Sequence, residues 1–189
     1  MSRPLTVKAK ALAFAQGIHR RTLYAMRDAG LVEHLERGLY RLADLPLLSD
    51  PHLVTVARKA PKVVICLISA LHFHNITTQI PHAVSLAVNR GTEPPLISYP
   101  PVRLYWFSGK AFSAGIEEHS IDNTTVRVYC AEKTLADCFK YRNKIGMDTV
   151  REALDLYRET AKPNRRKLIE FAKICRVEKI MRSYLEAYL

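Results

Sequence analysis

Apolar and polar positions repeat with two different periods along this chain, and the changes of period mark out its parts. Lys8 to Gln16 suits a short helix, which Gly17 interrupts. A second helical stretch runs from Arg20 to Ala29, and Gly30 closes it, as glycine past a helix end commonly does. At 100° per residue Leu23 and Met26 share one face and are expected to pack inward. Arg20, Arg21, Tyr24, Ala25 and Asp28 then fall on the sides and outer face. Leu31 to Leu42 reads as two short strands with Arg37-Gly38 at the turn. Helix, tight turn, helix and hairpin is the order of a winged helix-turn-helix.

The pattern changes beyond residue 45. Ser49-Asp50-Pro51 is a helix start, a capping side chain followed by proline in the first turn, and predicts a helix to Lys59. Val63 to Asn75 is apolar and suits a buried strand leading into a helix; period alone does not separate the two in so short a run. Val84–Val88 and Val102–Phe107 read as strands. Ile116–Ile121 and Thr124–Tyr129 read as a hairpin, because Asp122-Asn123 between them tolerate the positive φ that tight turns need. Four helices are expected to follow: Ala131–Arg142 with the stripe Leu135, Cys138 and Phe139, one carrying Met147, Val150, Leu154 and Tyr157, one opened by Pro163-Asn164 and carrying Leu168, Ile169 and Ala172, and a last one striped by Val177, Ile180, Met181, Tyr184, Leu185 and Tyr188. The whole predicts an α+β protein: a winged helix-turn-helix over residues 1–45, and an α/β domain over residues 46–189 with a mixed sheet of four or five short strands and C-terminal helices.

Composition adds a partner to this picture. The 189 residues hold 29 Lys and Arg against 18 Asp and Glu, a formal charge of +11, which favours an anionic partner. The charge is segmented. Residues 1–45 carry +4, residues 46–124 only +1, and residues 125–189 +6. In the head, Arg20, Arg21, Thr22, Tyr24 and Arg27 line a candidate reading helix. An arginine can donate two bonds to guanine, an alanine can touch a thymine methyl, and a helix N-terminus attracts phosphate. Arg37 and Arg41 on the wing would add backbone contacts that fix register. In the tail, Lys140, Arg142 and Lys144 form one candidate cluster, Lys162, Arg165, Arg166 and Lys167 a second, and Lys173, Arg176, Lys179 and Arg182 a third.

Other chemistries find less support. Cys66, Cys130, Cys138 and Cys175 form no CxxC pair and are expected to be reduced packing residues. The seven histidines are scattered. No Gly-rich phosphate loop, serine elbow or HExxH occurs. Glu117, Glu118 and Asp122 are the carboxylates a metal-dependent nuclease would use, although adjacent residues on a strand point to opposite faces. Asp137 is expected to pair with Lys140 and Arg142 on a helix surface. The longest strongly apolar stretch, Val63 to Leu71, is half of what a membrane span needs, and the N-terminus lacks a secretion signal's apolar core. The expectation is a cytoplasmic, membrane-free, non-enzymatic protein without cofactor or metal.

Several motifs also carry a resemblance. His19-Arg20-Arg21-Thr22-Leu23-Tyr24 and Arg37-Gly38-Leu39-Tyr40-Arg41-Leu42 resemble the N-terminal domain of the AbiE antitoxin family. Ser69-Ala70-Leu71-His72-Phe73-His74, Thr77-Thr78-Gln79-Ile80-Pro81, Tyr99-Pro100-Pro101, Phe107-Ser108-Gly109, Glu132-Lys133-Thr134 and Ala136-Asp137-Cys138-Phe139-Lys140-Tyr141 resemble its core pattern. The likeness runs over residues 18–187. It implies an antitoxin of a type IV toxin–antitoxin (abortive phage infection) system that represses its own operon at inverted repeats. It further implies a nucleotidyltransferase toxin as functional counterpart, with no direct contact required. Such domains carry a full helix ahead of the two that form the turn, and only about seven residues precede Lys8, so the expectation is a trimmed or compact head. A different reading is an RNA- or protein-binding module whose head is vestigial; a nuclease using Glu117 or Asp122 is a third.

Overall fold

A computed structural model describes residues 20–36, 39–42, 50–159 and 163–188. The chain divides into two compact units at residues 48/49. The helix expected over Lys8–Gln16, the Arg37-Gly38 turn, Ser49 and Lys162 lie outside the described residues.

The first unit contains α1 (Arg20–Asp28), β1 (Val32–Glu36) and β2 (Leu39–Leu42). Gly30 adopts φ +71°, so the chain turns back on the helix end: Gly30 N–H donates to Arg27 O at 3.0 Å and Leu31 N–H to Met26 O at 2.9 Å. This pair of bonds satisfies two of the carbonyls that a helix C-terminus leaves open. β1 and β2 pair antiparallel, Val32 opposite Leu42 and His34 opposite Tyr40, with an irregularity between His34 and Glu36. Val32 and Tyr40 are buried, and Leu23 and Met26 of α1 pack against them.

The second unit is α+β, built on a five-stranded mixed sheet. Its elements are α2 (Pro51–Lys59), β3 (Val64–Ile65), α3 (Leu67–Phe73), β4 (Val84–Asn89), β5 (Val102–Phe107), α4 (Lys110–Ser113), β6 (Ile116–Ile121), β7 (Thr124–Tyr129), α5 (Ala131–Lys140), α6 (Arg142–Ile145), α7 (Met147–Glu159), α8 (Arg165–Ile174) and α9 (Glu178–Tyr188). The strand order is β5-β4-β3-β7-β6. β4 and β5 are parallel, as are β3 and β7, while β3–β4 and β6–β7 are antiparallel.

Alternation along the strands sorts the core into two layers. Ile65, Leu86, Val88, Val126 and Val128 share a cluster with Leu53, Val56 and Ala57 of α2. Val64, Ala87, Phe107 and Tyr129 join the larger cluster formed with α3, α5, α7, α8 and α9. α2 starts as its sequence dictates, with Asp50 Oδ1 accepting from Leu53 N–H at 2.9 Å and Pro51 in the first turn. The apolar run from Val63 resolves into a two-residue strand and a helix. α5 stops at Lys140 and a separate short turn of helix, α6, holds Arg142. Val177, just ahead of α9, and Met181 and Leu185 within it are buried, but Ile180 of the expected stripe is 38% exposed.

The β6–β7 hairpin has both central residues in the left-handed region, Asp122 at φ +47° and Asn123 at φ +59°, between the paired Ile121 and Thr124. Two such residues make the turn whose twist matches the strands it joins. A β-branched residue at this φ is strained, so Asn123→Val is expected to destabilise the protein by about 1–2 kcal/mol in urea unfolding, and Asn123→Gly by less than about 0.5 kcal/mol. Equal losses from both would show that the turn conformation does not limit stability.

Candidate nucleic-acid interface

The seating of α1 determines what its outer face offers. With Leu23 and Met26 turned onto the hairpin, Arg21, Thr22, Tyr24 and Arg27 are exposed. Arg20 opens the helix and Arg41 lies in β2 opposite Glu33; their side chains, and all of Arg37, lie outside the described residues. Arg27 is held locally. Its Nη2 and Nε lie 2.6 and 2.9 Å from Asp28 Oδ1, and its guanidinium carbon sits 5.3 Å from the Tyr24 ring centre. A phosphate reaching Arg27 competes with Asp28 for the same donors.

In the second unit the three tail residues 140, 142 and 144 serve different ends. Arg142 turns back and donates from Nη1 to Phe139 O at 2.9 Å, closing the last turn of α5. Lys140 and Lys144 are exposed and flank Tyr141, with their ammonium nitrogens 5.9 and 5.8 Å from its ring centre. Tyr141 in turn meets Tyr105 at 5.3 Å and Phe107 at 5.7 Å between ring centres. Burial pushes the Tyr141 hydroxyl up to about 12, helped by Asp137, while Arg90 pulls the other way. The result is two cations beside a partly exposed aromatic group, a surface suited to polyanions with π-faces.

Arg165, Arg166 and Lys167 are exposed in the first turn of α8, where Asn164 caps Lys167 N–H at 3.0 Å. They do not join the Lys140–Lys144 pair. Tyr157 Oη accepts from Asn164 N–H at 2.7 Å and contacts Glu132 Oε1 at 3.1 Å, which sets the start of α8 beside the start of α5. Cys175, just past the end of α8, meets Asp137 near the end of α5. The two clusters therefore lie at opposite ends of a helix pair about 15 Å long. In the third group Arg182 is paired with Glu178 at 2.7 Å, and Lys173 lies 3.9 Å from the same carboxylate.

Asp137 corrects the surface pairing expected for it. Residues Lys133 to Phe139 of α5 are all buried, because this helix is enclosed by the sheet and by α3, α7 and α8. Asp137 and Lys133, one helical turn apart and both 0% exposed, pair at 2.5 Å between Oδ2 and Nζ. Cys175 Sγ donates to Asp137 Oδ1 at 3.1 Å, and Lys133 Nζ sits 4.2 Å from the Tyr129 ring centre and 5.0 Å from that of Phe107. Spacing i, i+4 was the signal available for this pair. Of the other motif residues, Ser69 is tied into the core, its Oγ accepting from Ser85 N–H at 2.9 Å, while Thr78 at the surface donates from N and Oγ1 to Glu152 Oε1, each at 2.6 Å.

The four cysteines are buried and free. Burial raises the Cys66 and Cys138 thiols well above their ordinary range and pushes Cys130 up to about 12, so they stay protonated and inert. Glu117 faces His119 at 3.3 Å, while Glu118 faces Arg127 at 3.9 Å, so the two glutamates take opposite sides of β6. Among the described residues no group of three or more His, Cys, Asp or Glu converges as a metal site would. Comparison with protein-family models and with curated proteins finds no match for this sequence.

Burial pushes the Asp137 carboxyl above its ordinary value, with Lys133 and the Cys175 thiol opposing. Removing one partner leaves a buried charge, so Lys133→Met alone is expected to cost about 3–5 kcal/mol in chemical denaturation. Lys133→Met combined with Asp137→Leu should recover most of that loss. The pH dependence follows from the raised value. The folded state holds the Asp137 proton more tightly than the unfolded chain, so its contribution is full below an aspartate's ordinary 3.8 and is lost as pH rises through the raised value. The stability of the wild type relative to the double variant is expected to fall with rising pH over that window; a rise would reverse the sign assigned here.

Proposed function

We propose that the protein is a DNA-binding autorepressor, and that it acts as the antitoxin of a type IV toxin–antitoxin system whose toxin is a nucleotidyltransferase. The observation that carries the DNA-binding part is the packing of the first unit. A helix backed by a β-hairpin through Leu23, Met26, Val32 and Tyr40 keeps Arg21, Tyr24 and Arg27 on its outer side. That is the arrangement a winged helix-turn-helix uses to present a reading helix. Arg20 and Arg21, at its N-terminal end, suit guanine edges or phosphates, and Arg41 on the second strand suits the backbone beside them. The antitoxin part rests on the motifs quoted above. Antagonism of the toxin needs no contact with it, and repression of the operon implies inverted-repeat operator DNA.

The second unit supports a second reading, in which its own surface binds nucleic acid and the first unit is dispensable. The Lys140–Tyr141–Lys144 cluster favours it.

One gel-shift series separates these readings. With DNA from upstream of the operon, affinity is expected to fall about 10³–10⁵-fold between 50 and 200 mM salt if six to ten phosphates are engaged. Arg20→Ala with Arg21→Ala should abolish the sequence-specific shift, while Lys140→Ala with Lys144→Ala should weaken binding to all sequences alike. A specific shift that survives the first pair and is lost with the second would favour the second unit. A shift flat in salt would count against both.

A further inference from the structure

The second unit holds a cavity of about 460 Å³ where β3 begins and β4 ends. Its walls come from segments far apart in the chain. Val88, Pro95 and Phe112 give it an apolar lining. Lys59, Lys62 and Arg127 bring three cationic side chains to it, with the carboxylate of Glu93 in the lining and that of Glu118 beside Arg127. Arg127 is held in place: its Nη1 donates to Lys62 O at 3.1 Å. Its Nε is buried with no hydrogen-bond acceptor in range, the Glu118 carboxylate standing 3.9 Å away. The guanidinium thus keeps donor capacity that the fold does not use. The volume falls in the range of small-molecule sites, and an apolar wall with a few convergent polar groups is their usual character.

We propose that this cavity binds a small organic anion, its apolar body against Val88, Pro95 and Phe112 and its acidic head between Lys59, Lys62 and Arg127. Three cationic side chains against the carboxylates of Glu93 and Glu118 favour an anion, and the apolar lining favours one with an organic body. An arginine beside two lysines suits a phosphate or carboxylate head. The site stands apart from the nucleic-acid reading, and neither depends on the other.

Anilinonaphthalene sulfonate tests it directly, because it joins an apolar body to an acidic head and its emission reports burial. The full chain is expected to bind it saturably at one site. Lys62→Glu, at an exposed position, should weaken binding about tenfold or more, and Arg127→Gln should act in the same direction. Near-UV circular dichroism confirms that each variant keeps the native packing. Displacement by adenosine monophosphate identifies a phosphate head, and displacement by decanoate a carboxylate head. Absence of saturable binding, displacement by neither compound, or equal affinity in a folded Lys62→Glu variant would overturn the proposal.

Discussion

The second unit is organised around one costly interaction, a lysine and an aspartate buried together inside α5. Removing both charges from water is expensive, and the pair is tolerated only when its geometry is good and its remaining donors and acceptors are met. Three other elements meet that requirement. The rings of Tyr129 and Phe107, from two strands, lie against the Lys133 ammonium, and the Cys175 thiol from the end of α8 reaches the free side of Asp137. Gly115, ahead of β6, completes the enclosure. It sits at φ +74°, and a Cβ there would fall 2.7 Å from that of Lys133. The Tyr129 carbonyl is itself met by His74 at 2.7 Å and Thr134 at 3.2 Å, so the end of β7 and the end of α3 are drawn to the same point. The buried pair, the end of β7 and the end of α3 thus meet at one place in the core.

This interior accounting changes the meaning of the net charge. Lys133 contributes to the basic count of the tail, yet its charge is cancelled inside the protein. Arg142 is spent on a helix end, Arg27 on Asp28 and Arg182 on Glu178. The cations left to meet a partner are fewer than the composition suggests, and among the described residues two groups stand out: Lys140 and Lys144 around a tyrosine, and three in the first turn of α8.

Much of this fold was legible along the chain because local chemistry and tertiary need agree. Asp122-Asn123 announced a tight turn since few residues accept that backbone. Gly30 announced a helix end, and Asp50-Pro51 a helix start. Charged residues were misread where tertiary context overrides the usual preference for the surface. Helical period suggests an outer face for α5 and so pairs Asp137 with Lys140 and Arg142; enclosed on nearly every side, the helix has no such face along Lys133–Phe139. Of the candidate interface, the outward residues of α1 could be read from helical period alone. The division of residues 140–144 into a helix-closing arginine and two aromatic-flanking lysines could not, since it depends on where the chain breaks between α5 and α6. The cavity bounded by Lys62, Val88, Phe112 and Arg127 has no sequence signature at all, because only the tertiary fold brings a turn, two strands and the short helix α4 together there.

The first turn of α8 carries a further consequence. Arg165, Arg166 and Lys167 stand at the end of the helix where the peptide dipoles already concentrate positive charge, and no acidic residue occupies that turn to offset them. Sequence economy would put such residues at the opposite end. The start of α8 is therefore held against its own charge by bonds from outside the helix: the Asn164 cap on Lys167 N–H and the Tyr157 hydroxyl, which joins Asn164 to the Glu132 carboxylate, are what keep three like charges in one turn.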